Sequence, residues 1–236
     1  MTESVSSSLL TCRDLIQSIV AAVDARDAYT SHHSDRVAAM AVVLARVLHL
    51  SEDDTITVQV AAFAHDIGKI SVPDTVLRKA GPLTDAEWEE MRRCPVTGYD
   101  ILRKVPQFQR VALIVRHHHE RWDGRGYPDQ LAGTAIPLGA RIIAVADSID
   151  AMMSNRSYRP AMTAPVCHHE IEKNSGVMYD PQVVAAAMNC WDELVSRYTK
   201  VETPPTPYFD RLQLEHTRQA HDYLLANQGS HITLAE

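Results

Sequence analysis

The sequence predicts an all-α protein. Apolar residues recur at helical spacing in segment after segment, no stretch sustains the period-two alternation of a strand, and no Asn-Gly hairpin signal occurs. Leu9 to Ala28 carries Leu15, Ile16, Ile19, Val20 and Val23 on one helical face, and Asp35 to Leu48 repeats the pattern with Val37, Met40, Ala41, Leu44 and Leu48. Ser51 with Asp54 three residues on reads as an N-cap opening a helix to His65, and Gly68 stands where that helix is expected to stop. Thr84 and Glu87 form a capping box that opens a helix to about Arg93. Pro95 to Lys104 and Gln107 to His118 read as two more helices. The glycines at 124, 126 and 133, with Pro128 and Pro137, then mark an ordered loop. Leu138 to Ser154 and Pro181 to Tyr198 are again helical. Thr203 to Pro207 is a stiff Pro-rich linker, and Tyr208 to Ala226 forms a further amphipathic helix. The chain thus divides into a tail at 1–13, a helical domain at 14–198, and a linker with a C-terminal helix and tail at 199–236.

The chain of 236 residues is long enough to bury a substantial core. Its net charge of -7, without a long basic stretch, argues against wrapping long nucleic acid, which needs a row of phosphate contacts. A small nucleotide in a locally positive pocket stays open. No apolar run is long enough to span a bilayer, and the first ten residues lack the basic region of a secretory signal. Four scattered cysteines with no CxxC spacing read as reduced thiols in a cytoplasmic protein.

Metal-capable side chains stand at five separated places on or at the ends of these helices. They are His33, His65-Asp66, His118-His119, Asp147 and Cys94. Val60 to Ala64 before His65, and Arg141 to Ala146 before Asp147, face a core. Polar groups beside them must therefore be paired, and a metal ion pairs several at once. His117 is the extra member of the triple-histidine run. His168-His169 has no surrounding signature and reads as solvated helix surface.

The motifs in between resemble a known family. His65-Asp66-Ile67-Gly68-Lys69 is similar to the HDIGK signature of HD-superfamily phosphohydrolases, and His118 to Pro128 is similar to the HHExxDGxGYP signature of their HD-GYP subfamily. Tyr29-Thr30 before His33-Ser34, Ile136-Pro137 before Asp147, Arg156 to Arg159 and Tyr179-Asp180-Pro181 follow in the family's order, so that the resemblance covers about residues 14 to 198. It implies an HD-domain helical bundle with an ordered GYP loop. It also implies a bacterial cyclic di-GMP phosphodiesterase that yields pGpG, GMP or both, with two divalent transition-metal ions, iron or manganese. The partners implied are cyclic di-GMP, a second copy of the chain, and a signalling protein met through the GYP loop.

Residue by residue, the resemblance assigns His33, His65, Asp66 and Asp147 to one metal, and His118, His119 and the residue at position 94 to a second. Asp66 suits a bridge because a carboxylate offers two oxygens, and two bridged metals can hold a hydroxide that attacks phosphorus. Lys69, one turn past Asp66, and Arg156 would meet phosphate oxygens. Tyr127 would line the substrate pocket, and Asp150, three residues past Asp147, would hold a ligand or a water.

Two departures stand out. Cys94 occupies a position where the family carries histidine. Either the thiolate binds metal, or the second site is weakened and the protein is a degraded module that binds cyclic di-GMP or a signalling partner with little turnover. Tyr29 stands where members with three metals tend to carry glutamate, which favours two metals. A hydrolase acting on another cyclic dinucleotide is a third expectation.

Overall fold

Residues 12–26, 32–155 and 160–199 are described by the structure, a computed structural model. The chain forms two compact units, Ser18–Thr203 and Met1–Gln17 together with Pro204–Glu236. All but a few of the described residues belong to the first. The expected linker and C-terminal helix lie outside the described residues, as do Tyr29 and Arg156.

Among the described residues the structure is helical, with one isolated bridge between Ser175 and Tyr179 in place of any strand. The helices are α1 (Cys12–Asp24), α2 (His33–Val47), α3 (Glu52–Ala64), α4 (Asp74–Leu77), α5 (Asp85–Arg92) and α6 (Cys94–Leu102), then α7 (Gln109–His117), α8 (Leu138–Met153), α9 (Ala164–Lys173), α10 (Pro181–Asn189) and α11 (Trp191–Thr199). A 3₁₀ turn, Ile67–Ser71, follows α3. Both expected N-terminal devices form. Ser51 Oγ accepts from the Asp54 amide at 3.1 Å, and Thr84 and Glu87 exchange the two bonds of a capping box.

The core is built where α2, α3 and α8 meet, with α7 against α3. Val37, Met40, Ala41 and Leu44 of α2, Val58, Val60 and Ala61 of α3, and Ile142, Ile143, Val145 and Ile149 of α8 are all nearly or wholly removed from water. Burying each large aliphatic side chain is worth about 1.5–3 kcal/mol, so this triple contact fixes the helices that carry the polar residues of the site. Alanines at 61, 62 and 64 let the end of α3 approach its neighbours closely. Among the described residues no helix is long and apolar enough to cross a membrane.

Several boundaries differ from the sequence expectation. The helix expected from Gln107 starts at Gln109, because Pro106 opens a 3₁₀ turn, Pro106–Phe108, that buries Phe108. The helix expected over Pro181 to Tyr198 breaks at Cys190, whose Sγ donates to the Ala186 carbonyl at 3.1 Å, a back-bond of the kind that bends helices. Helix α9 carries the helix surface expected at His168-His169 and buries Cys167 and Ile171 at i,i+4 spacing. His168, expected on a solvated surface, packs its ring edge-on against Trp191 at 4.8 Å.

Gly68 is not a helix cap. Helix α3 ends three residues before Ile67, and Gly68 lies inside the 3₁₀ turn, where a Cβ would come 1.9 Å from the Cys94 carbonyl oxygen. The turn that follows Asp66 is thereby seated directly on the start of α6.

Candidate metal centre

Helices α2, α3, α7 and α8 each deliver one or two polar groups to the same place. His33 opens α2, His65-Asp66 closes α3, His118 follows α7, and Asp147 and Asp150 lie on α8. His33 and His65 bring their Nε2 atoms to 3.3 Å. Asp66 Oδ2 lies 3.6 Å from the first and 3.4 Å from the second, and Asp147 Oδ1 is 3.5 Å from His33 Nε2. The ligand atoms of His33, His65 and Asp66 all fall within 4.8 Å of one another, and all three residues are buried. The cluster could hold a metal ion.

The other ring nitrogens say which way the imidazoles face chemically. His65 Nδ1 lies 2.7 Å from the Ala62 carbonyl and His118 Nδ1 lies 2.6 Å from the Val115 carbonyl. A carbonyl only accepts, so both Nδ1 atoms donate and each Nε2 keeps a lone pair. His33 Nδ1 donates to Asp150 Oδ2 at 2.7 Å, which fixes the ring, and its Nε2 can ligate once a metal displaces the proton there. His118 Nε2 is buried with no hydrogen-bond partner, a cost that a metal would relieve. The donor set is therefore suited to a divalent ion, imidazole nitrogens with a carboxylate oxygen.

Protonation follows the same geometry. Burial disfavours charge on Asp66, but Lys69, His65 and His33 outweigh it and hold the carboxyl well below its usual range. Lys69 Nζ is 2.8 Å from Asp66 Oδ2. Burial works against a charged His33 too, yet its bonds to Asp150 and Asp66 raise it to about 10. His118 moves the other way, to about 4, through burial and then the neighbouring His65. Burial and the adjacent His118 hold His119 well below the ordinary histidine value.

His119 packs against His118 at 3.9 Å between ring centres and against Tyr127 at 5.0 Å, so Tyr127 forms one wall of this face. His117 is engaged elsewhere. Its Nδ1 meets the Leu113 carbonyl and its Nε2 lies 2.9 Å from Asp129 Oδ2, beyond the GYP tripeptide. Arg116 makes a two-pronged bond to the same Asp129, and Glu120 accepts from the Asp129 amide. The extra histidine thus anchors the loop.

Cys94 sits at the first position of α6, buried with Val72 and Val76 and packed against Leu77, Leu83 and Met91. Burial, and then the charge of Asp66, pushes its thiol up to about 12. Residue 94 is thus close enough to feel Asp66, while its surroundings favour a neutral thiol.

Sequence reasoning overlooked three residues here. Arg36, one turn past His33, grips the buried carboxylate of Asp150 and lies over the Tyr198 ring at 5.2 Å. Asp24, at the end of α1, is raised to about 6 by burial with Asp66 contributing, and accepts from Ser34 Oγ at 3.4 Å. Arg26 binds the turn that carries Lys69. The one signal available was position: Arg36 falls three residues after His33, on the same helix.

Comparison with known proteins defines the class. The model of the HD domain family matches residues 12–183. The chain belongs to the HD domain family. Its paired HD and GYP signatures place it in the HD-GYP branch. It is 42% identical over 178 residues to the cyclic di-GMP phosphodiesterase response regulator RpfG of Xanthomonas campestris pv. campestris, covering 75% of this chain and 47% of that protein. It is 40% identical to a cyclic di-GMP phosphodiesterase of Thermotoga maritima (78% and 50% covered). It is also 36% identical to the 3'3'-cGAMP-specific phosphodiesterase 2 of Vibrio cholerae (79% and 36% covered). The chain therefore spans between about a third and a half of the length of these relatives. A crystal structure of a cyclic GMP-AMP-specific phosphodiesterase of V. cholerae shares the fold, with a TM-score of 0.62, 20% identity, and coverage of 82% of this chain and 55% of that one.

Proposed function

We propose that this chain is a metal-dependent phosphodiesterase that opens cyclic di-GMP to pGpG, GMP or both. The observation that carries it is the set of three anchored imidazoles, His33, His65 and His118, each with Nδ1 tied to an acceptor so that Nε2 is the atom offered to a metal, in His33 by displacement of its proton. Residues 14–198 form the catalytic domain in this reading. Two ions, iron or manganese, would be held by His33, His65, Asp66 and Asp147 and by His118, His119 and position 94. Such ions supply Lewis-acid activation of water and of a phosphoryl oxygen.

The chain's own residues do the rest. Asp66, ionised because Lys69 and the histidines face it, has two carboxylate oxygens and would serve as a ligand to either ion. Lys69 presents a point charge at the partly open edge of the cluster, where a phosphate oxygen gains charge in the transition state. Asp150 fixes the tautomer and orientation of His33. Tyr127 lines the pocket, and Arg156 is proposed as a second phosphate contact. A cytoplasmic location and a homodimer belong to the same reading, as does a signalling partner at the GYP loop; the free thiols of Cys94 and Cys190 support the first.

One observation favours a second reading, a degraded module that binds the nucleotide with little turnover. Cys94 is buried among apolar side chains as a thiol whose ionisation is disfavoured, which weakens the second ion. The deciding measurement is metal content of the purified protein together with turnover of cyclic di-GMP and 3'3'-cGAMP in the presence of iron or manganese. Release of pGpG or GMP supports the enzyme. Nucleotide binding without product supports the degraded module, and neither binding nor product overturns both.

A further inference from the structure

The side chain of Arg26 binds the turn that carries Lys69, yet it lies outside the metal cluster. Its amide bonds back to the Val23 carbonyl at 3.0 Å, so its backbone continues the last turn of α1, and Val23 is buried. From there the guanidinium reaches across more than forty residues of sequence. Nη1 lies 3.3 Å from the Lys69 carbonyl and 2.9 Å from that of Ile70, and Nη2 lies 2.7 Å from that of Val72. Nη2 and Nε also hold Asp74 Oδ1, at 2.7 and 3.2 Å. Arg78 returns the contact, its Nε donating to the Arg26 carbonyl at 2.6 Å.

The chemistry explains why an arginine stands here. A 3₁₀ turn ends with carbonyls that have no partner inside it. The carbonyls of Ile70 and Val72, the Lys69 carbonyl that also accepts from the Val72 amide, and the Asp74 carboxylate surround a single point, and a planar cation with five N–H groups can satisfy them together, whereas an ammonium cannot. The same turn is also pressed on α6 at Gly68. The turn is therefore clamped by both contacts.

We propose that Arg26 is a positioning residue that sets the placement of Lys69 by fixing the backbone of residues 69–72, and so ties the end of α1 to the phosphate-binding edge of the site. The functional half of this rests on the phosphodiesterase reading above; the backbone half does not. Because Lys69 acts on charge that develops in the transition state, misplacing it lowers kcat more than it raises KM. A displacement of about 1 Å at a catalytic group can cost about a hundredfold in rate.

Two experiments on the full chain test the two halves separately. In the metal-free protein, hydrogen exchange of the amides at 69–72 is compared between wild type and Arg26→Gln, with α3 and α8 as internal controls. Exchange at least about tenfold faster in the turn alone supports the clamp; unchanged exchange, or a rise spread over α3 and α8, overturns it. In the turnover assay Arg26→Gln is expected to lose about ten- to a hundredfold in kcat with little change in KM. Arg26→Lys is expected to recover little of it. Combined with Lys69→Ala, Arg26→Gln should cost almost nothing further, because the group it positions is gone. If Arg26→Gln slows the Lys69→Ala protein by the same factor as it slows wild type, Arg26 does not act through Lys69. A wild-type protein without turnover would count against the proposed function, while the exchange experiment still decides the clamp.

Discussion

Replacing Asp150 by asparagine probes the support behind the metal cluster without changing its shape. Asp150 is 1% exposed and holds His33 Nδ1 at 2.7 Å and Arg36 through Nε and through Nη2 at 3.1 Å, with Ser154 Oγ donating at 3.5 Å. The amide removes the charge and deprives Arg36 of its carboxylate. Breaking a fully buried pair in this way costs about 3–5 kcal/mol. Arg36 is 12% exposed and keeps the Tyr198 ring at 5.2 Å, a cation–π contact worth about 0.5–1 kcal/mol, so a loss of about 2–4 kcal/mol is expected. For a domain of this size that lowers Tm by about 4–16 °C. His33 also loses the charged acceptor that fixes its tautomer and keeps only the weaker amide oxygen, and metal affinity should fall about ten- to a hundredfold. Thermal unfolding of the metal-free protein reads the first effect, and titration with manganese reads the second. The two variants Asp150→Asn and Arg36→Ala should be non-additive by about 1–3 kcal/mol, since they cut one network. A Tm within about 1 °C of wild type, with unchanged manganese affinity, would refute the claim that Asp150 carries His33.

Cys94→His is expected to raise bound metal toward two ions per chain and turnover by at least about tenfold, read by metal analysis and product release; loss of metal would mean that the thiolate is a ligand. Gly68→Ala puts a Cβ 1.9 Å from the Cys94 carbonyl, and should cost about 3 kcal/mol or more, seen as a Tm drop of about 6 °C or more; an unchanged Tm would contradict the close approach. Arg116, with His117 assisting, holds the Asp129 carboxyl down to about 2. A depressed carboxyl contributes stability above its unfolded value near 3.8, and that contribution is lost as pH falls through about 2. Amide exchange in the loop after Tyr127 should therefore accelerate between about pH 4 and 2, and Asp129→Asn should remove that dependence.

Much of the fold was readable because its signals are local. The Ser51 and Thr84 caps depend on residues three apart, and the core faces of α2 and α8 depend on helical spacing alone. What misled the reading was also local: Cys190 carries no breaker chemistry in sequence, and its break depends on a thiol-to-carbonyl bond. Gly68 looks like a cap in one dimension and is a point of backbone contact with α6 in three.

By itself the sequence determined the helical class, the family motifs, and the residue types available to a metal, because each motif is contiguous and its chemistry belongs to its side chains. Only the tertiary structure decided how they meet. It brought His33, His65 and Asp66 from two helix ends to within 4.8 Å, and turned the first histidine of the triple run, His117, away to Asp129. It also joined Asp150 to Arg36 and Arg26 to the Lys69 turn, contacts that span tens of residues in sequence and leave no periodic trace. Convergence of that kind is a property of packing, and burial then sets the protonation of the groups it gathers.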